Sequence, residues 1–230
     1  MDLSCVKTVL FDLDGTLIDT NELIIDTWRH TVKTMTGREI TDEEVRLTFG
    51  ELLIDSARRL MPDIDGELII DFYRKFQREV FIDRIKLFDG AEEVLRKLRA
   101  NGYKTALVTS RLKSSAVRGL IHFGLEDLFD AILTASDTEK FKPDPEPLFD
   151  ILDMVGGRPE EAIFVGDTVY DIEAGRNAGV FTVLVGFSYA LPPENRTTVA
   201  PDVVINELRD ILGLLHIEEK ENKTEINEWE

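Results

Sequence analysis

The chain has 230 residues and an ordinary apolar and charged content, enough for one large α/β domain with a sizeable insertion. A formal net charge of −18 argues against sequence-independent nucleic-acid binding and against docking on anionic membranes, both of which draw on Lys and Arg. The single cysteine, Cys5, excludes an intramolecular disulfide framework, and with no spanning apolar run and no signal pattern the chain reads as cytosolic.

The first element is a strand over Val6 to Phe11, which runs into "DLDGT", Asp12 to Thr16. Two carboxylates two positions apart share one side of the chain if the backbone stays extended, and they repel unless a cation lies between them. From about Asp19 to Arg84 no strand pattern occurs, only helical signals. Asp19 and Glu22 have the spacing of an N-cap and its partner, and Thr41 and Glu44 that of a capping box. "ELIIDFYRKFQREVF" sets Leu68, Ile69, Phe72, Tyr73, Phe76 and Val80 along one stripe, and Trp28, Phe72 and Phe76 suit a core for this insertion.

Strands return at Lys104–Val108, Ala131–Thr134, Ile163–Val165 and Phe181–Val185, with a sixth at Val203–Ile205. Amphipathic helices lie between them, one closed by Gly102 and another by Gly156 and Gly157. Near-continuous apolar strands alternating with helices predict a doubly wound parallel sheet covered on both faces. The expected organisation is an α/β core over 1–18 and 85–217, a helical cap over 19–84, and a polar tail over 218–230 that holds Trp229. His30, His122 and His216 lie on helical patterns away from the strand ends and read as structural.

Ligands of open α/β sheets bind at the carboxyl ends of the strands, so the residues there are the site candidates. They are Asp12 and Asp14 after the first strand, Thr109 and Ser110 after "ALV", Lys142 in "KFKPDPEP", and Gly166, Asp167 and Asp171 in "IFVGDTVYD". A carboxylate cluster of this kind calls for a hard divalent ion, and Mg²⁺ takes one or two carboxylates together with phosphate oxygens. Gly15 and Gly166 permit close backbone approach, the Thr109 hydroxyl and nearby N–H groups suit phosphate oxygens, and Lys142 offsets the remaining charge.

Those four segments, in order, resemble the four motifs of the haloacid dehalogenase-like hydrolase superfamily: "DLDGT", "LVTS", "KPDP" and "GDTVYD". The resemblance spans nearly the whole chain and includes a helical cap between the first two motifs. It implies Asp12 as the nucleophile that forms an aspartyl-phosphate, and Asp14 as the acid that protonates the leaving oxygen and then activates water. It also implies Mg²⁺ held by Asp12, Asp167 and the Asp14 backbone carbonyl, with Asp171 behind them, and a phosphate site that includes Ser110 where asparagine is common. An Asp at position 14 separates the chain from the dehalogenase and ion-pump branches.

The expected function is Mg²⁺-dependent hydrolysis of a small phosphorylated metabolite, of the phosphoglycolate type, under a cap that closes to exclude water. "FDLDGTLIDTNELI" also resembles an inorganic pyrophosphatase of the same subfamily, toward which its "TNELI" extension leans slightly. A phosphomutase and a non-enzymatic phospho-receiver are the other readings; the receiver is disfavoured by the chain's length, its insertion, and the lack of an acid at the end of the third strand. Substrate choice is expected in the cap, at Gly50, Glu51, Arg46, Arg58 and Arg59. The protein is expected to be a monomer or homodimer with a small-molecule partner.

Overall fold

The computed structural model describes residues 3–217; the polar tail and Trp229 lie outside the described residues. The first strand, β1 (Thr8–Phe11), starts two residues later than the apolar run, because Leu3–Cys5 forms a 3₁₀ turn that leaves Cys5 exposed. The chain then makes a two-residue strand, β2 (Ile18–Asp19), and enters the helices α1 (Asn21–Thr36), α2 (Asp42–Arg46), α3 (Leu53–Leu60) and α4 (Gly66–Val80). It returns through β3 (Lys86–Leu87), which pairs antiparallel with β2. The core follows as α5 (Ala91–Ala100), β4 (Lys104–Thr109), α6 (Lys113–Phe123), β5 (Ala131–Thr134), α7 (Glu146–Val155), β6 (Ala162–Gly166), α8 (Val169–Ala178), β7 (Phe181–Val185), α9 (Arg196–Val199), β8 (Val203–Ile205) and α10 (Asp210–Leu214).

Six strands form one parallel sheet in the order β5-β4-β1-β6-β7-β8. The doubly wound class follows from the strands' apolar content. Val9 and Phe11 of β1 join Leu107, Val165 and Val183 on one face, under α5, α6 and α10, while Leu10 joins Val108 and Phe164 on the other, under α7 and α8. Alternate residues of a strand point to opposite faces, so a central strand buried on both sides is nearly continuous in apolar residues. The strand order reverses beside β1, and that switch point is where such sheets open a crevice.

The cap has its own core of Trp28, Val32, Val45, Phe49, Leu60, Ile69 and Tyr73, with Trp28 against Tyr73 at 4.5 Å between centroids. The Thr41/Glu44 capping box forms as expected, with Glu44 N–H donating to the Thr41 hydroxyl at 3.2 Å and Thr41 N–H to the Glu44 carboxylate at 2.8 Å. Other expectations are corrected. Leu68 is exposed and Ile70 is buried in its place, since Asp65 caps α4 and sets the helix phase so that 69, 70 and 73 face inward. Phe72 and Phe76 stack on His30 at the half-exposed edge of the cap instead of entering its core. Asp19 and Glu22 make no capping pair: Asp19 belongs to β2 and accepts the Asn21 N–H, leaving Thr20 at the N-cap of α1. Asn101, not Gly102, is the C-cap of α5, and Gly102 (φ +83°) makes the turn after it.

Replacing Thr41 by Ala removes one partner of the capping box, and we expect a loss of about 1 kcal/mol, read as a lower urea midpoint. A midpoint unchanged within error would show that tertiary packing alone sets α2.

Candidate active site

β1 ends at Phe11, but Asp12 N–H still donates to the Val165 carbonyl at 2.9 Å, which pins Asp12 between β1 and β6 at the switch point. The backbone then bends instead of staying extended. Gly15, at φ +78°, closes a turn in which its N–H donates to the Ile18 carbonyl at 2.9 Å, and Asp12 and Asp14 go to different partners. A Cβ on Gly15 would land on the Asp167 carboxylate, so a side chain is excluded there by both conformation and space.

Asp12 pairs with Lys142. The Lys142 ammonium donates at 2.6 Å to Asp12 Oδ1, at 2.6 Å to Asp171 Oδ1 and at 3.4 Å to the Val108 carbonyl, and all three side chains are buried. The loop that carries Lys142 is tied to α8 by the Asn177 amide, which donates to the Pro143 carbonyl at 3.0 Å. Asp171 is held from behind. Its Oδ2 accepts from the Thr168 hydroxyl at 2.6 Å, from Thr168 N–H at 2.9 Å and from Asp167 N–H at 3.2 Å, so one carboxylate both caps α8 and faces Lys142.

Asp12, Asp167 and Asp171 offer oxygens that all lie within 4.8 Å of one another. Burial pushes the Asp12 carboxyl up to about 7, with Lys142 pulling it down and Asp171 and Asp14 pushing it further up. Burial, with Asp171 and Asp12 beside it, also raises Asp167 well above the usual carboxylate range. Burial works against the Lys142 charge, but Asp12 and Asp171 more than offset that and hold it above an ordinary lysine. Asp167 Oδ1 is buried with no hydrogen-bond partner, whereas its Oδ2 and backbone carbonyl face the Ser188 hydroxyl at 3.2 and 2.7 Å. A buried, unpartnered carboxylate oxygen costs energy unless a cation takes it. The donor set therefore fits a hard divalent ion, with Asp12 and Asp167 as its carboxylates.

Asp14 belongs to a different pair. The Arg111 guanidinium grips it in two-pronged fashion, with Nε at 2.8 and 3.1 Å and a terminal nitrogen at 2.7 Å. Arg111 reaches Gln77 of α4 at 3.4 Å and lies over the Phe81 ring at 5.1 Å, so this ion pair joins the core to the cap. Thr109, also buried, accepts the Arg111 N–H at 3.1 Å, which leaves its own hydroxyl hydrogen to donate.

These residues line a cavity of about 850 Å³ between the core and the cap, together with Ser110, Gly50, Glu51 and Tyr73. Gly50 (φ +79°) packs so closely that a Cβ would sit 2.6 Å from the Tyr170 ring. Glu51 is occupied by the Ser56 hydroxyl at 2.7 Å and by Arg59, which also binds the Leu47 carbonyl. None of the three cap arginines singled out in the sequence lines the cavity, Arg59 being taken by Glu51 and the Leu47 carbonyl. Arg46 lies 5.3 Å over the Tyr189 ring, and Arg58 is exposed on α3 near Asp55 at 3.9 Å. The helical phase of α2 and α3 turns both away. Arg111 and Ser188 were not anticipated. Arg111 directly follows Ser110 at the end of β4, and that position was the available signal; for Ser188, on the loop after β7, the sequence carries none.

The match to the family model of haloacid dehalogenase-like hydrolases extends over residues 9–185, most of the chain and all four site segments. The chain belongs to the haloacid dehalogenase-like hydrolases. It is accordingly an enzyme, and the expectation of a phosphoric ester hydrolase stands with it. The chain is 38% identical over 213 residues to pyrophosphatase PpaX of Halalkalibacterium halodurans, covering 92% of this chain and 98% of that one. It is 35% identical over 213 residues to pyrophosphatase PpaX of Bacillus cereus, covering 91% and 96%. Among solved structures, a haloacid dehalogenase-like hydrolase from Bacteroides fragilis superposes with a TM-score of 0.81 at 25% identity, over 90% of this chain and 99% of that one. A "predicted phosphoglycolate phosphatase" from Haemophilus somnus gives 0.78 at 25% identity, over 91% and 98%.

Replacing Asp167 by Asn removes one like charge from a crowded cluster and one candidate metal oxygen. In metal-free buffer the melting temperature should rise by a few degrees, while the stabilisation by millimolar Mg²⁺ expected of the wild type should disappear. A full Mg²⁺-induced shift in the variant would contradict this reading of the cluster.

Proposed function

We propose that the protein is a Mg²⁺-dependent phosphohydrolase acting on a small phosphorylated compound through an aspartyl-phosphate on Asp12. The observation that carries this is the buried Lys142, which binds Asp12 and Asp171 at 2.6 Å each and so orients the Asp12 carboxylate at the floor of the cavity. Asp12 and Asp167, with the Asp14 backbone carbonyl, would hold the Mg²⁺; when bound, it supplies charge for the transferring phosphoryl oxygens and lowers the repulsion between the anionic nucleophile and substrate.

The chain's own residues supply the rest. An Asp12 oxygen attacks phosphorus and the bond to the leaving oxygen breaks, its electron pair remaining on that oxygen, which takes a proton from Asp14. Asp14 then takes a proton from water as the water oxygen attacks phosphorus, and the bond from Asp12 to phosphorus breaks. The Thr109 hydroxyl, Ser110 and Lys142 are placed to receive the non-bridging oxygens, and Asp171 keeps Lys142 charged and in position. The cap excludes water from a site that an acyl phosphate has to survive in.

Inorganic pyrophosphate is the substrate that the relatives' name favours, and it fits a cavity lined by several arginines. A phosphomonoester such as phosphoglycolate is the second reading, favoured by the neighbouring fold. A screen of pyrophosphate, phosphoglycolate and sugar phosphates should show catalytic release of orthophosphate over many turnovers, with pyrophosphate leading. Release of an isomeric sugar phosphate in place of orthophosphate would indicate a mutase, and no turnover of any of them would refute a hydrolase. The Asp12→Asn protein should fold and lose at least about 10³-fold in turnover. Asp14→Asn should slow both formation and breakdown of the phosphoenzyme; a second step as fast as the wild type's would remove Asp14 from its second role.

A further inference from the structure

The Asp14 carboxylate cannot donate a proton to a leaving group while both its oxygens lie in the Arg111 fork. The pair is also well built. The Arg111 side chain is 7% exposed, its N–H donates to Thr109 Oγ1 at 3.1 Å, and its carbonyl accepts the Ala135 N–H at 3.1 Å. Burial works against the guanidinium charge, but Asp14, with Tyr73 and Asp12 beside it, more than offsets it. Something must therefore replace Asp14 in the fork before chemistry.

The surroundings indicate what does. Arg74 and Arg78 of α4 flank Gln77, which touches Arg111, and Arg118 of α6 shares the Phe81 ring with it, at 5.7 Å. All four arginines line the same cavity. Among the described residues, Arg74, Arg78 and Arg118 form no ion pair with a carboxylate. In a chain of net charge −18, a wall of cations without carboxylate partners is a local arrangement and not an average property. Arg78 and Arg118 are exposed at the edge, Arg74 is half-buried and Arg111 is inside, so the positive charge runs from solvent inward. On the cap side of the cavity the acids do not cancel it: Glu51 is bound to Arg59 and Ser56, and Glu67 is the remaining one there, while Asp12, Asp14, Asp167 and Asp171 lie on the core side.

Resting on the phosphohydrolase reading, we propose that Arg111 receives a second oxyanion, a phosphate or carboxylate carried by the leaving group, and that this exchange is what releases Asp14 for proton transfer. A planar guanidinium binds carboxylate and phosphate with the same two-pronged geometry, so the incoming anion takes over the contacts that Asp14 gives up. The proton donor is then set free only by a substrate whose leaving group is anionic. A neutral leaving group leaves Asp14 clamped.

Calorimetry in Mg²⁺ buffer tests this with methylenediphosphonate and phosphonoacetate as two-anion probes and methylphosphonate as the one-anion probe. The wild type should bind at least one two-anion probe about tenfold to a hundredfold tighter than methylphosphonate, and whichever is preferred distinguishes a phosphate from a carboxylate. Arg111→Met keeps an apolar stem on Phe81 and should abolish the difference. Arg74→Met, on a half-buried helix face, should shrink it severalfold if the Arg111 variant folds poorly. Asp14→Ala removes the competing carboxylate and should tighten the two-anion probe severalfold more than methylphosphonate. In parallel, the ratio of kcat/KM for pyrophosphate or phosphoglycolate to that for phenyl phosphate should fall at least tenfold in Arg111→Met. A wild type without preference for either two-anion probe, or variants that weaken all probes and substrates in equal proportion, would overturn the proposal while leaving the hydrolase reading intact. Absence of turnover with pyrophosphate and with every phosphate ester would refute both.

Discussion

One buried ammonium makes the active end of this sheet possible. Asp12, Asp167 and Asp171 converge in a buried crevice where like charges cannot all persist unaided, and Lys142 sits between two of them. The arrangement explains why the "KPDP" loop has to cross to the switch point and why Asn177 of α8 holds it there. It also explains why Asp171, which does no chemistry of its own, is buried and bonded on both oxygens. What Lys142 does not reach is the lone oxygen of Asp167, and that residual deficit of positive charge is the strongest physical argument for a cation.

The cap completes the same electrostatic arrangement from the other side. Arg111, Gln77 and Phe81 connect Asp14 to α4, while Gly50 rests on Tyr170 and Arg46 on Tyr189. The cap is therefore more than a lid of apolar residues. It brings Arg74 and Arg78 to a pocket whose core half is acidic, and through Gln77 it touches Arg111, which holds Asp14. Its attachment through the paired β2 and β3 keeps the point of exit beside the loop that carries Asp14.

Much of this was legible in the sequence, for identifiable reasons. Buried parallel strands are nearly continuous in apolar residues, so β4 to β8 declare themselves, and the Thr41/Glu44 box declares α2. The candidate catalytic acids were legible because an acid at the end of such a strand has no packing role. The two-residue β2 and β3 were not, since two residues carry no period. Leu68 misled because a stripe read from composition has no phase until the cap Asp65 sets it. The bend after Phe11 was hidden too: two-residue spacing suggests one shared environment, and the Gly15 turn gives Asp12 a lysine and Asp14 an arginine. Arg46 and Arg58 looked like substrate ligands on charge alone, yet only helical phase decides which cap arginines face the cavity, and it selects Arg74 and Arg78.

The central claim is that Asp12, of the two carboxylates held by Lys142, is the one that becomes phosphorylated. The most direct measurement is acid quench during steady-state turnover of pyrophosphate or phosphoglycolate, borohydride reduction of any acyl phosphate, and mass spectrometry of the peptides. Reduction of Asp12 to homoserine, and of no other acid, is the expected result. Turnover with reduction at another carboxylate, or with none at Asp12 under conditions where the phosphoenzyme accumulates, would contradict it.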